Sequence, residues 1–464
     1  MYMSSVFPSF DYARQFVAEQ VIRQVLEYID RDPEQNLPKI FNLAKILAGK
    51  KHHQQHAVTL AEGYDTNPVV RAYINRLFER THPNVKRRLL YNWFFNAMIF
   101  GIPHQQENSR KLGVHIPNFF LIDPTSDCNL RCEGCWAGMY DKHDTLDFET
   151  LDRLMAEAKE LGIYWAAMSG GEPFKYPHLI RLAAKHPDMA FMVYTNGTLI
   201  TERMADAIVE VGNVSPAISL EGWRESTDAR RGPGVFDRIM KVMDLLQERG
   251  AIFGVSLTLT RHNVEEVTSD EFIDFLIEKG AVYGWSFHYI PIGRDPDLDL
   301  LVTPEQRAYL AERIPYIRTH KPIQIADFWN DGELMHGCIA GGRFYFHITA
   351  NGNVEPCAFV HFAADNIKGK TLLEVLKNPL FAAYQKRQPF SDNYLRPCPI
   401  IDVPVALREI VKESGARPTH PGAESVLTGT IASHLDRRAE EWRNVADRIW
   451  AERHGVEREA AQSR

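Results

Sequence analysis

Cysteine and long apolar runs are both scarce in this sequence. The chain has 464 residues and six cysteines, and its most apolar stretch, LLYNWFFNAMIFGI at residues 89–102, is interrupted by two asparagines. That stretch is shorter than the roughly 20 residues that a membrane-spanning helix needs. The first residues, MYMSSVFPSF, lack the basic start and apolar run of a secretory signal. We therefore expect a cytoplasmic protein, in which cysteines stay reduced and a cluster of them favours metal binding over disulfides.

An excess of basic charge is also absent. The net charge is -7 at neutral pH, whereas a domain that binds nucleic acid usually carries a basic patch. We therefore expect no nucleic-acid partner. Hydrophobic residues make up 45% of the chain, which is enough for a large core and for more than one structural unit.

Residues 1–110 are predicted to form a helical region, because apolar side chains recur at helical spacing, as at Val70, Ile74 and Leu77. Two interpretations are open. The helices form a cap that packs on the rest of the chain, or they contact lipid, because the basic residues Lys86, Arg87 and Arg88 lead directly into an aromatic segment, YNWFFNAMIF. The second interpretation predicts that these basic side chains lie close to anionic head groups.

Residues 111–330 alternate short apolar runs with helical segments. Six runs are predicted to be buried parallel strands: IPNFFLID, IYWAAM, MAFMVYT, NVSPAISL, AIFGVSLTLT and VYGWSFHYI. A helix between the first two begins after Asp147 and ends at Gly162. Repeated strand–helix units predict an α/β fold, a partial (β/α)6 barrel of the TIM type, in which chemistry gathers at the C-terminal ends of the strands.

Half of the cysteines lie in one short stretch that follows the first predicted strand. CNLRCEGCW places Cys128, Cys132 and Cys135 together. Three thiolates do not complete a structural zinc site, which is almost always four-coordinate. They suit three irons of a [4Fe–4S] cluster and leave the fourth iron open for a ligand.

The C-x3-C-x2-C spacing, followed by SGGEP at residues 169–173 after the second strand, resembles the radical S-adenosylmethionine (radical SAM) superfamily. One departure concerns the position before the third cysteine, where the family often has an aromatic residue and this chain has Gly134, followed by Cys135 and Trp136. The resemblance implies a [4Fe–4S] cluster on the three cysteines and bound S-adenosylmethionine. It also implies reductive cleavage of that cofactor, hydrogen abstraction from an unactivated C–H bond, and an electron donor such as ferredoxin or flavodoxin.

The resemblance also implies roles for polar residues at the strand ends. The segment formed by Gly170, Gly171 and Glu172 is expected to bind the amino group of the cofactor, and Glu172 suits an ammonium because a carboxylate accepts its hydrogen bonds. Asn196 is expected at the ribose or the methionine end. The remaining expectations are ribose contacts from Ser219 and Glu221 and a pairing of Arg231 with the methionine carboxylate. The motifs point to no catalytic acid or base.

Residues 331–464 hold the other three cysteines, Cys338, Cys357 and Cys398. The pattern of a cysteine, a glycine, a strand and NGNVEPC resembles the SPASM or twitch extension of radical SAM enzymes, which implies an auxiliary iron–sulfur cluster. NGN predicts a hairpin turn. A non-cysteine ligand or an open iron completes the site, and the candidates are His347, His361 and His434. Buried, inert thiols are the competing interpretation.

The substrate is open at this stage. The long helical N-terminal region, together with CNLRCEGCWAG, MVYTNGTLI and CIAGGR, resembles radical SAM proteins that act on lipid alkyl chains, including the joining of two acyl tails. That resemblance implies peripheral contact with membrane lipid at the inner membrane face. The alternative within the class is peptide or protein modification. A non-catalytic metal-binding protein is the alternative of another class.

Overall fold

The computed structural model describes residues 10–47 and 51–462. The parts of the predicted regions at residues 1–9, 48–50 and 463–464 lie outside the described residues. The N-terminal elements are helical throughout the described part, as predicted. They are α1 (Phe10–Arg31), α2 (Pro33–Leu47), α3 (Lys51–Thr66), α4 (Pro68–Arg80), α5 (Pro83–Val85), a π-helix (Lys86–Gly101) and α6 (Ile102–Leu112).

A mostly parallel sheet forms the centre of the molecule. Its parallel strands are β1 (Phe120–Ile122), β2 (Trp165–Met168), β3 (Ala190–Thr195), β4 (Val214–Leu220), β5 (Gly254–Leu259), β6 (Tyr283–His288) and β7 (Gln324–Asp327). The first six are the predicted strands, so the α/β prediction of a partial barrel is confirmed. β7 was not predicted. It pairs with β6 through the register Gly284↔Ile325.

The helices of this central region alternate with the strands, as the sequence predicts. They are α7 (Phe148–Leu161), α8 (Leu179–Lys185), α9 (Glu202–Val211), α10 (Arg224–Arg231), α11 (Val235–Glu248), α12 (Val264–Val267), α13 (Asp270–Glu278) and α14 (Pro304–His320). α7 begins and ends where expected, because the side chain of Asp147 accepts the amide hydrogen of Thr150 and Gly162 takes a left-handed conformation at φ 92°.

The C-terminal region joins the same sheet. Its elements are α15 (Gly332–Met335), β8 (His347–Ile348), β9 (Asn353–Glu355), β10 (Phe362–Ala363), β11 (Asp365–Asn366), α16 (Leu372–Leu376), α17 (Pro379–Arg387), α18 (Pro404–Ser414), β12 (Arg417–Pro418) and α19 (Gly429–Gln462). β8 and β9 form the predicted hairpin. β8 also pairs in parallel with β1 through Leu121↔His347. The hairpin therefore lies beside the strand that leads into the Cys128–Cys135 loop.

The π-helix packs on the central sheet through the two asparagines that interrupt the apolar stretch. Asn92 donates to the carbonyls of Pro187 and Met189, and Asn96 donates to the carbonyl of Asp188, at 2.8–2.9 Å. These bonds connect the helix to the loop before β3. The helical-cap interpretation therefore accounts for this segment.

The expectation that Lys86 lies near lipid head groups is wrong. Its side chain is buried, donates to the carbonyl of Phe78 at 2.8 Å and pairs with the carboxylate of Asp30. The apolar side chains of this segment do not share one face as they would in an α-helix. A π-helix closes i→i+5 hydrogen bonds, so its faces have a different period. Trp93 and Met98 are exposed. No helix of the described residues is long and apolar enough to cross a membrane.

Candidate active site

The three cysteines that follow β1 line one cavity. Cys128, Cys132 and Cys135 are free thiols, each half-buried. Burial raises the pKa of the Cys128 thiol, and the nearby Glu172 carboxylate raises it further. The cavity opens to solvent, and its empty space, counted with the open mouth, is about 1260 Å³.

Gly170 and Gly171 bring the loop after β2 against the cysteine loop. A Cβ atom on Gly170 would lie 2.6 Å from the carbonyl oxygen of Thr125, and one on Gly171 would overlap the carbonyl oxygen of Asp127. Gly170 also has a φ of 104°, which L side chains rarely adopt. The two glycines line the cavity. The two glycines therefore allow the loop after β2 to approach the backbone of the cysteine loop closely, and they also leave its backbone accessible from the cavity.

Gly134 departs from the family pattern, and its surroundings give a steric reason. A Cβ atom at this position would lie 2.6 Å from the ring of Tyr289, which follows β6. Tyr289 also lines the cavity. An aromatic ring next to the third cysteine is therefore supplied by another strand end.

Glu172 is fully buried and does not line the cavity. Its carboxylate accepts hydrogen bonds from the Thr195 hydroxyl and the Asn196 amide at 2.7 Å and from the Phe174 amide at 3.0 Å. These bonds connect the loop after β2 to the end of β3. Asn196 does line the cavity and donates to the side chain of Asn129 at 2.9 Å. In this arrangement Glu172 positions Asn196.

Glu221 is likewise engaged by protein groups. One carboxylate oxygen accepts from the guanidinium of Arg230 at 2.7 Å and from that of Arg231 at 2.5–2.8 Å. Its other oxygen, Oε2, is buried without a hydrogen-bond partner among the described residues. Ser219 and both arginines line the cavity. Arg230 was missed by sequence analysis, although it is adjacent to Arg231 in RRGPG.

His288 was also missed, because a single histidine at a strand end carries no motif. It ends β6, lines the cavity and is 1% exposed. Neither ring nitrogen has a hydrogen-bond partner among the described residues, and Nε2 lies 3.8 Å from the nearest Asp327 oxygen. Burial lowers the pKa of His288, and Arg307 lowers it further. A neutral imidazole with free hydrogen-bonding capacity therefore lines a cavity whose walls are partly aromatic.

A second cavity brings together Cys338, Cys357 and Cys398. Burial raises the pKa of all three thiols, that of Cys357 to about 11 and that of Cys398 to about 12. Thiols in such surroundings stay protonated until a metal displaces the proton. The phenol of Tyr345 contacts the sulfur of Cys357 at 2.9 Å. Three thiols that line one cavity suit the auxiliary iron–sulfur cluster that the sequence implies.

None of the three histidines proposed as further ligands lines this second cavity in the described residues. His347 lies between two carboxylates, with its Nε2 2.9 Å from Asp123 and its Nδ1 2.9 Å from Glu355. The expectation that His347 binds the auxiliary cluster is wrong, because both ring nitrogens lie against carboxylates. His361 contacts His420 and the Ala358 carbonyl instead. His434 contacts Arg437 on α19.

The two cavities share one wall. Four aromatic side chains line both of them: Phe119, Trp285, Phe328 and Phe359. Phe119 stacks on Trp165 at 4.1 Å between ring centroids, and Phe328 lies 5.2 Å from Phe287. These rings therefore lie between the first cavity and the cavity that the auxiliary thiols line.

Comparisons with known protein families identify one domain for each of the two groups of cysteines. Residues 122–276 match the radical SAM superfamily model, and residues 338–399 match the SPASM model, an iron–sulfur cluster-binding domain. These ranges contain the two groups of cysteines.

Relatives and a solved structure agree with this assignment. An AdoMet-dependent heme synthase of Methanosarcina barkeri is 25% identical, over 56% of this chain and 82% of its own length. A PqqA peptide cyclase of Ruegeria pomeroyi is 26% identical, over 61% and 80%. Streptococcus suis SuiB bound to S-adenosylmethionine has the same fold, with a TM-score of 0.53 and 19% identity over 64% of this chain and 75% of that chain. The chain thus carries a radical SAM domain followed by a SPASM domain, and it is a radical SAM enzyme that uses S-adenosylmethionine and iron–sulfur clusters.

Proposed function

We propose that the enzyme abstracts hydrogen from an apolar side chain of a peptide or protein substrate. The observation that carries this proposal is the first cavity, which combines the cofactor cysteines, an aromatic wall and the imidazole of His288, whose ring nitrogens have no hydrogen-bond partner among the described residues. An apolar side chain fits such walls while the rest of a peptide remains at the open mouth. The similarity to a PqqA peptide cyclase over 61% of this chain supports the same substrate class.

The side chains of the cavity have separate roles in this proposal. Five residues that line it are proposed to contact S-adenosylmethionine: Gly170, Gly171, Asn196, Ser219 and Arg231. Glu172 and Glu221 position these groups, because their carboxylates already bind protein donors. The aromatic wall excludes water from the reacting carbon, and His288 hydrogen-bonds to a polar group of the substrate.

The bound cofactors supply a hydrogen-abstracting radical after one-electron reduction. We propose ferredoxin or flavodoxin as the electron donor. The protein's own contribution is to hold the substrate carbon in a dry cavity beside the cofactor site.

A tetrapyrrole substrate, which the heme synthase relative suggests, is a weaker candidate because of the charges in the cavity. A porphyrin carries several carboxylates that need cationic partners. The two guanidiniums among the described lining residues, those of Arg230 and Arg231, already pair with Glu221. The imidazole of His288 is held neutral by burial. The described lining residues therefore include no unpaired cation that could bind a carboxylate of the porphyrin.

A lipid acyl chain is the third candidate, and an apolar cavity also suits it. Of the three basic residues that were expected to face head groups, Lys86, Arg87 and Arg88, Lys86 is buried and paired with Asp30. Neither of the two curated relatives described above is named for a lipid substrate. We therefore rank acyl-chain coupling behind peptide modification.

Isotope transfer tests the substrate class even while the substrate itself is unidentified. The host is grown with deuterated amino acids or, in a parallel culture, with deuterated acetate under conditions that label fatty acids. The reconstituted enzyme is then incubated anaerobically with S-adenosylmethionine, a reductant and either the peptide and small-protein fraction or the lipid extract. Iron coproporphyrin is a third, unlabelled substrate. Mass spectrometry measures deuterium in 5′-deoxyadenosine, and Cys132→Ala serves as the inactive control.

We expect deuterium in 5′-deoxyadenosine from the amino-acid-labelled peptide fraction. We also expect an increase in 5′-deoxyadenosine over the rate without substrate, absent in the control. Transfer from the acetate-labelled lipid extract alone would reject the peptide proposal in favour of acyl chains. Stimulation by iron coproporphyrin alone, with loss of its carboxyl groups, would reject it in favour of a tetrapyrrole.

A further inference from the structure

The auxiliary site has one ligand too few. A [4Fe–4S] cluster has four irons, and each usually takes one thiolate. The second cavity supplies the three thiols of Cys338, Cys357 and Cys398, and the sequence holds no other cysteine outside the Cys128–Cys135 loop. One iron of an auxiliary [4Fe–4S] cluster therefore lacks a cysteine.

Most of the other polar side chains on the cavity wall already have partners. The carboxylate of Asp327 accepts hydrogen bonds from Trp329 and Asn330, and that of Asp331 binds Arg318 and the amide of Asp327. Asn118 donates to Gln105. These groups are held in protein–protein contacts, and using one as an iron ligand would break those contacts.

Tyr384 differs from these groups. Its side chain is fully buried and lines the second cavity, and its phenol oxygen has no hydrogen-bond partner among the described residues. Leaving a buried hydroxyl without a partner is unfavourable. Such an atom needs an explanation, and a bound ion is one of the recognised explanations.

The position of Tyr384 is fixed by its surroundings. It lies on α17, and its ring packs edge-to-face on Phe390 at 5.4 Å between centroids. Gly341, at a φ of 68°, passes so close that a Cβ atom there would lie 2.7 Å from the tyrosine side chain. Burial raises the pKa of Tyr384, and the three thiols raise it further. The side chain of Tyr384 is therefore fixed on the wall of the cavity that the three thiols also line.

We propose that Tyr384 is the fourth protein ligand of the auxiliary cluster, and that its phenol oxygen binds the iron that no cysteine reaches. Coordination replaces the phenol O–H bond with an Fe–O bond, and the proton leaves to solvent during assembly of the cluster. Hard oxygen ligands favour the ferric state, so the ligand stabilises the oxidised cluster. This inference concerns the metal site and is independent of the substrate class.

The test compares Tyr384→Phe with Tyr345→Phe in the anaerobically reconstituted full chain. Both substitutions remove one phenol oxygen from the surroundings of the auxiliary thiols, but the Tyr345 hydroxyl already has a partner in the sulfur of Cys357. Resonance Raman spectroscopy of the oxidised protein reports iron–phenolate vibrations, which shift when the chain is labelled with ring-deuterated tyrosine. Iron content and the reduction potential of the auxiliary cluster are measured in parallel.

We expect iron–phenolate vibrations in the wild type and in Tyr345→Phe, and their loss in Tyr384→Phe. The reduction potential of the auxiliary cluster should be higher in Tyr384→Phe than in the wild type. Absence of the vibrations in the wild type would overturn the proposal and leave Tyr384 as a hydrogen-bond donor at most.

Loss of iron in Tyr384→Phe is resolved by two ligating variants, Tyr384→Cys and Tyr384→His. Recovery of the iron by either variant supports ligation at this position. Iron loss that neither variant reverses would overturn the proposal, because the phenol would then be needed for packing alone.

Discussion

Replacing His347 with glutamine tests the buried charge cluster that joins the two domains. The imidazole lies between Asp123, at the end of β1, and Glu355, on β9. Burial alone would lower the pKa of His347, but the two carboxylates raise it from 6.5 to about 10. One pKa unit corresponds to about 1.4 kcal/mol, so this shift is worth roughly 5 kcal/mol. Removing one partner of a buried ion pair costs about 3–5 kcal/mol, which agrees with the value from the pKa shift.

The sign of the pH dependence follows from the raised pKa. The stabilisation is present in full below a pH of about 6.5 and is lost as the pH rises towards about 10, by about 1.4 kcal/mol per pH unit. The difference in unfolding free energy between the wild type and His347→Gln should therefore shrink by roughly 3 kcal/mol between about pH 7 and about pH 9. Anaerobic urea unfolding, followed by circular dichroism, measures it.

His288→Gln is the matched control, because burial lowers the pKa of His288 and keeps it neutral throughout this pH range. Its effect on stability should not change between about pH 7 and about pH 9. A His347→Gln effect that is equally independent of pH, or smaller than about 1 kcal/mol, would refute the reasoning, because His347 would then be neutral in the folded protein.

Three further predictions concern the cofactor sites and the N-terminal region. Cys132→Ala should abolish the formation of 5′-deoxyadenosine while the circular dichroism spectrum is kept, and undiminished formation would make the thiols structural. Removing all three thiols of the second cavity should halve the iron content of the reconstituted protein, and an unchanged content would mean that the auxiliary cluster is absent. Trp93→Ala should lower the unfolding free energy by about 1 kcal/mol or less, because the indole is half exposed; a loss near the roughly 3–5 kcal/mol of a buried aromatic would contradict the exposure.

Local sequence patterns predicted the parts of the fold that depend on neighbouring residues. The six strand runs, the caps of α7 at Asp147 and Gly162, and the hairpin around Gly352 all occur as predicted. β7 was missed because its segment, QIAD, is short and half polar. The burial of Lys86 was missed because its partners, Asp30 and the carbonyl of Phe78, come from other helices.

The site shows the same division between local and long-range information. The cysteine spacing and SGGEP identified the cofactor region, because those motifs are contiguous in the chain. Sequence could not show that Glu221 holds two guanidiniums, since Arg230 and Arg231 lie on another element. Nor could it show that Tyr384 and Cys398 line the same cavity as Cys338. Such groups meet only after the chain has folded.

The pairing of β1 with β8 has a consequence for synthesis of the chain on the ribosome. The edge of β1 that leads into the Cys128–Cys135 loop is covered by the strand that contains His347, which emerges much later. Domains generally fold as units from the N-terminus during synthesis. Until β8 has been synthesised, however, one edge of β1 has no partner strand. An unpaired strand edge is prone to pair with other chains. We expect nascent chains that stop before β8 to depend on chaperones, and insertion of the first cluster to follow the emergence of β8 from the ribosome.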